Sequence, residues 1–407
     1  MNRSVLFLTI SIAITACKIE VSVPEGGRVD ASSGNYICTV DQTCEIDVID
    51  FFFDETFIAT PEAGYEFRGW RKEARHFCGG LSGNCRLQTA WFEGFDVFTS
   101  FLESDGVFYL RPIFEQPDTW TSRAKMNNEH TEFSGCIING KLYAIGGRQG
   151  SVQIPAWSDS VEEYDPETDQ WKVVGQVPTR RKFATASALN GKCFVIGGQI
   201  GVAGSRGTAT AAVESFDPST GQWEKHADLI TGRFAAASAA IGDKLYVVGG
   251  TSGSTLATLE VYDPDRDSWS QKASMSGPRG YLGAGVIDSK LYVVGGGAYL
   301  QAPALDLVEE YNPASDSWRI RSAMPKPKYF FAAAVFDRKL YAFGGHNDYL
   351  QWEDSTTVYD PAENSWRIVA SMPTSRAGHV ALSAAQKIYI LGGSSSSENV
   401  LTLEYTP

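Results

Sequence analysis

The sequence repeats itself at nearly fixed intervals. Glycine pairs stand at Gly146-Gly147, Gly197-Gly198, Gly249-Gly250, Gly295-Gly296, Gly344-Gly345 and Gly392-Gly393, spaced by 51, 52, 46, 49 and 48 residues. Trp120, Trp171, Trp223, Trp269, Trp318 and Trp366 follow the same spacings. Before every Trp except the first comes a turn: "YDPETDQW", "FDPSTGQW", "YDPDRDSW", "YNPASDSW", "YDPAENSW". Other tight turns precede the glycine pairs, among them "NGK" twice and "GDK" once, of the kind that closes a two-residue hairpin. Each period therefore predicts four short antiparallel strands.

Glycine pair, Tyr/Phe-x-Pro turn and Trp recurring together resemble the kelch motif, in six copies from Trp120 to the C-terminus. The resemblance implies an all-β fold, a six-bladed β-propeller with one blade per period. A large Trp needs a flat surface between blades, and paired glycines let neighbouring backbone approach. Kelch propellers place the first strand of each repeat nearest the axis. Here that strand is rich in small residues: "ATASAL", "AAASAA", "LGAGV", "AAAV". The chain stops at "LEYTP", where other repeats go on to a Trp strand, and the repeat region opens with "DTWTSRAKM", which is that missing strand. Joining the two completes the sixth blade and removes the open edge of the ring.

At 407 residues the chain is long enough for two folded units. We divide it into a signal peptide (1–16), a small β domain (17–117) and the propeller (118–407). "MNRSVLFLTISIAITAC" has one early cation and then an apolar run too short to span a bilayer. Its end resembles the bacterial lipobox. That implies a lipid anchor on Cys17, membrane attachment by acyl chains only, and a place in the cell envelope as an outer-membrane lipoprotein. Lys18 to Gln116 holds 8 basic and 17 acidic residues and carries most of the net charge of −13. Such acidity argues against a nucleic-acid partner. The segment reads as short strands. "ATPEAGYEFRGW" resembles the AGYxFxGW segment of bacterial surface repeats, with Tyr65, Phe67 and Trp70 as core aromatics and Gly64 and Gly69 at turns. Cys38 with Cys44 and Cys78 with Cys85 are close local pairs expected as disulfides, although four cysteines permit three connectivities. Cys136 and Cys193 lie in apolar strand runs and are expected as buried free thiols. No metal site or cofactor is expected.

Sixteen residues before the first glycine of each pair stand His130, Arg181, Arg233, Arg279, Lys328 and Arg376. Rotational symmetry should gather these six at one channel mouth. A ring of like charge there would attract carboxylate, sulfate or phosphate, unless each side chain pairs with a local acid. Aromatics follow within two positions, Tyr281 and Tyr329 among them, and His346 follows a glycine pair. The connections between second and third strands vary in length and carry Trp157, Tyr299, Tyr349 and Trp352, which suits a binding face on a constant scaffold. The expected partner is an anionic glycan, a peptide or an envelope protein. The resemblance also admits a six-bladed kelch mutarotase acting on N-acetylneuraminate, although no acid/base pair stands out; a structural role in an envelope complex needs only the loops.

Overall fold

The computed structural model describes residues 17–48, 52–89, 106–115, 118–149, 156–201, 207–297, 303–348, 351–395 and 400–407. They form two compact units that divide between residues 117 and 118. Among the described residues no helix is long and apolar enough to cross a membrane. The signal peptide, Tyr299 and Tyr349 lie outside the described residues.

The first unit is built of small sheets. Cys17–Ser22 lies between Thr43–Val48 and Val107–Leu110, antiparallel to one and parallel to the other. Ile37–Cys38, Gly27–Ala31, Asp54–Pro61 and Cys85–Gln88 form a four-stranded sheet, and Glu66–Trp70 pairs with Pro112–Glu115. Alternate strand residues such as Ile19, Val21, Ile46 and Phe57 fill its core. Trp70 is buried there, packs edge-on to Phe67 at 5.4 Å and donates its indole N–H to the Gly83 carbonyl at 2.8 Å. At Gly69, φ is +129° and a Cβ would lie 2.8 Å from the Leu81 carbonyl, so only glycine fits. Disulfides join Cys38 to Cys44 and Cys78 to Cys85.

The second unit is a six-bladed propeller. Five blades are sequential four-stranded antiparallel meanders, beginning with Ser134–Ile138, Lys141–Ile145, Ser160–Asp165 and Gln170–Gln176 (blade I). Blades II to V open on Thr185–Leu189, Ala237–Ile241, Gly283–Ile287 and Ala332–Phe336. Blade VI joins Val380–Ala384, Lys387–Leu391 and Thr402–Thr406 to the early strand Thr119–Arg123. The inner strands touch in order around the axis, and blade VI closes on blade I.

Three recurring devices hold the frame. In every blade the Trp ring packs on the aromatic ring of the third strand, as Trp269 does on Tyr262 at 5.1 Å and Trp120 on Tyr405 at 4.7 Å. In five blades its indole N–H then reaches the preceding blade, as from Trp269 to the Ala227 carbonyl at 2.9 Å and from Trp318 to Ala273 at 2.7 Å, whereas among the described residues that of Trp223 has no partner. The turn acid works the same boundary. Asp316 has φ +47°, accepts from the Tyr311 hydroxyl at 2.8 Å, and accepts from the Ala273 N–H of the preceding blade at 2.9 Å. The glycine pairs clasp the following blade. The N–H of Gly250 donates to the Arg279 carbonyl at 3.0 Å, while a Cβ on Gly249 would lie 2.5 Å from that same oxygen.

One cysteine expectation is corrected. Cys136 and Cys193 are joined by a disulfide, with Cα atoms 6.0 Å apart. Cys136 sits on the inner strand of blade I and Cys193 on the second strand of blade II. Face-to-face packing of consecutive blades brings together thiols 57 residues apart in sequence.

Candidate functional site

The six side chains expected to ring the channel mouth do occupy equivalent places, but they are withdrawn from solvent. His130, Arg181, Arg233, Arg279, Lys328 and Arg376 are each between 0 and 2% exposed. Arg233 shows the pattern. Its Nη1 donates to the carbonyls of Gly249 at 3.0 Å and Thr258 at 3.2 Å, and its Nη2 pairs with Glu260. Arg279 likewise holds Gly295, Leu307 and, at 2.9 Å, Glu309. Arg181 pairs with Glu214, and His130 meets Glu162 at 3.2 Å. The sixteen-residue spacing is thus the register of a bond to the blade's own first glycine. These side chains latch the entry of each blade to that blade's own second and third strands, and the expectation of an open electropositive ring is corrected on that ground.

Two blades depart from the rule. Lys328 reaches the Ser355 hydroxyl at 3.1 Å and carbonyl at 3.4 Å, and among the described residues meets no carboxylate within ion-pair distance. Burial pushes its ammonium down to about 8, opposed by the charge of Glu353. Among the described residues the Arg376 guanidinium bonds the Gly392 carbonyl, at 2.8 Å, and the Thr374 hydroxyl, at 2.7 Å, and no carboxylate. Burial alone lowers it to about 10. Thr357 and Leu403 stand in these blades where the other four have Glu, as the register against the second strand shows.

Two residues after each latch, Glu132, Phe183, Ala235, Tyr281, Phe330 and Gly378 all have φ between +52° and +65°. Their backbones form a closed circle of six hydrogen bonds around the axis. Each N–H donates to the carbonyl of the preceding blade, from Phe183 to Glu132 at 2.7 Å round to Glu132 to Gly378 at 3.0 Å. The side chains of Phe183, Tyr281 and Phe330 meet across the axis as a triangle of rings, with centroids 5.4, 5.5 and 5.4 Å apart. Gly378 makes room, because a Cβ there would lie 2.7 Å from the Phe330 ring. This aromatic plug caps a cavity of about 120 Å³, lined also by Glu132, Leu282, Phe331 and His379. Below it the inner strands enclose a further axial space of about 250 Å³.

Of the other expected site residues, Tyr281 lines the cavity, while Tyr329 and His346 pack behind it. His346 lies 5.7 Å from Tyr329 and stacks on Phe330 at 5.9 Å. Beside the plug Glu132 pairs with Lys182 at 3.2 Å and Arg148 at 3.5 Å, and the Lys182 ammonium sits 5.0 Å from the Phe183 ring and 5.8 Å from that of Trp157. His379, at the start of an inner strand, is marked in the sequence only as a possible acid or base, and Glu132 is not marked at all. Their common signal is a fixed offset of two or three positions from each latch.

Comparisons with known proteins agree with this architecture. Residues 115–296 match the family described as KLHDC2/KLHL20/DRC7 Kelch-repeats domain, and residues 278–325 and 327–373 match the Kelch motif. Kelch-like protein 35 of Mus musculus is 30% identical over 132 residues, covering 32% of this chain and 22% of that protein. An F-box/kelch-repeat protein of Arabidopsis thaliana is 34% identical over 140 residues, 32% of this chain and 33% of its own length. The chain therefore spans a third or less of these relatives. The solved structure of YjhT superposes with a TM-score of 0.58 at 16% identity, covering 70% of this chain and 95% of that one. The propeller is built of kelch repeats.

Proposed function

We propose that the chain is a binding protein of the bacterial cell envelope, anchored through lipid on Cys17, whose propeller engages a protein or glycan partner on its loop face. The observation that carries this reading is the plug of Phe183, Tyr281 and Phe330. These rings lie on a face whose connections vary while three sets of inter-blade bonds hold the frame constant. The mixed-charge rim of Glu132, Lys182 and Arg148 adds polar complementarity beside them. A preference for anionic partners finds little support from the latch side chains, four of which face a glutamate. Mutarotation of an acidic sugar would need an acid, a base and room for the ring. Glu132, Tyr281 and His379 line one cavity, but about 120 Å³ is well under the roughly 300 Å³ at which small-molecule sites begin.

The test is retention of the purified chain on glycan and peptide arrays, compared with Phe183→Ala and Phe330→Ala. Retention that survives added salt but drops at least about tenfold in either variant is expected, from the loss of an aromatic contact. Equal retention by both variants would remove the plug from the interface. Accelerated anomer exchange of N-acetylneuraminate, followed by NMR, would instead favour the enzyme reading.

A further inference from the structure

Blade VI is the irregular blade, and its irregularities face the axis. At the third position after the latch the other blades carry Phe133, Ala184, Ala236, Leu282 and Phe331, all apolar; blade VI carries His379. That imidazole is 6% exposed, and among the described residues neither ring nitrogen makes a well-formed hydrogen bond, the Phe343 carbonyl exerting only a weak pull on the ring. It lines the capped cavity and the axial space beneath it. Just before it in the chain, Arg376 is wholly buried and, among the described residues, has no carboxylate partner and leaves its Nε unbonded. Leu403 occupies the place where blades I to IV supply a glutamate. An unpaired buried guanidinium and an unsatisfied buried imidazole are both costly, and one anion would relieve both.

We propose that the axial cavity carries a subsite for a small carboxylate on its blade VI wall, with His379 donating a hydrogen bond to the bound oxygen and Arg376 supplying the uncompensated charge behind it. The size of the cavity sets the class of ligand. About 120 Å³ is the share of roughly four water molecules, enough for a carboxylate of a few heavy atoms. Among the described residues the one carboxylate lining this cavity, Glu132, is already engaged by Lys182 and Arg148. The charged groups that act on His379 are Arg376 on its own blade and Lys328 on blade V. With burial as the larger cause, both hold the imidazole neutral, against a weaker opposing pull from the Phe343 carbonyl. A carboxylate reverses that balance, so binding takes up a proton and tightens as pH falls. The subsite does not depend on the loop-face partner proposed above.

The experiment is a calorimetric titration of the full chain with sodium formate at pH 5.5 and pH 8, with sodium chloride at equal ionic strength as the blank. Saturable binding that is tighter at pH 5.5 is expected. It should weaken roughly tenfold to a hundredfold in His379→Phe, the range for a lost charge-assisted hydrogen bond. Phe already stands at this place in blades I and V, which makes it the least disruptive replacement. Heat no different from the chloride blank, or an unchanged affinity in His379→Phe, overturns the proposal. Should that variant fail to fold, the imidazole ¹⁵N shifts of the unaltered protein decide. Movement of the His379 ring nitrogens toward the protonated form on adding formate supports the subsite, and no movement overturns it.

Discussion

A charged side chain without solvent is stable only where its partners are fixed, and the six latches differ in what they are given. Removing Arg233 strands Glu260 in the interior, so Arg233→Ala should cost about 3–5 kcal/mol in urea unfolding. Arg376→Met strands no carboxylate and should cost far less, about 1 kcal/mol for the lost bonds to Gly392 and Thr374. Equal losses would mean that the carbonyl bonds, rather than the carboxylates, do the latching. Lys328 makes a pH prediction. Burial depresses its folded-state pKa to about 8 from the ordinary lysine value of 10.5. Between those values the unfolded chain binds more protons, so this residue's contribution to stability rises as pH increases from 8 to 10. Converted from the shift, the full effect is roughly 3 kcal/mol. Unfolding free energies of the natural chain and Lys328→Met, measured across that range, should converge as pH rises. Parallel curves would show that the lysine does not titrate there.

At the scale of strands and turns, backbone demands decide most outcomes. In five of the six blades the hairpin after the inner strand places two consecutive residues at positive φ; blade III has only Gly242 there. Blades I and II use Asn139-Gly140 and Asn190-Gly191, whereas blade VI uses Ala385-Gln386 at +48° and +61°. Replacing Ala385-Gln386 by Asn-Gly should raise stability by about 1–2 kcal/mol, read as a higher thermal midpoint. The Cys136–Cys193 bridge closes a loop of 57 residues. Its removal by paired serine substitutions should cost about 2–4 kcal/mol, and a reductant should lower the midpoint of the natural chain but not of that variant. These devices also explain what could be read in advance. Glycine pairs, Asp-Pro turns and tryptophans answer local backbone and packing needs, so they leave a periodic trace from which six blades and their closure follow. The latch did not show its purpose, because a spacing of sixteen says nothing of depth. Its acid lies 32, 33, 27 or 30 residues downstream in blades I to IV, a separation that changes with the intervening connection. The disulfide was hidden for a related reason: nothing in a chain's local pattern marks which buried thiols face each other across two blades.

For the molecule as a whole, closure is the property on which the rest depends. Each blade is bonded to both neighbours by the glycine clasps and the circle of six axial hydrogen bonds, and five of the six boundaries add a Trp indole bond. Unfolding should therefore be a single transition for the ring. Trp120→Ala removes the packing on Tyr405 and the bond to Ala370 at 3.1 Å, and should lower the midpoint of the entire propeller instead of melting blade VI alone. Differential scanning calorimetry with two resolved propeller transitions would contradict this. The strand pairing behind it also has a temporal side. Thr119–Arg123 bonds to Thr402–Thr406, and a ribosome makes the first long before the second. Every nascent intermediate thus carries a sticky ribbon whose mate has not been synthesised, and five stacked blades with two bare ends. Ring closure therefore waits for Thr402–Thr406 to emerge, and until then both sheet edges stay open to mispairing.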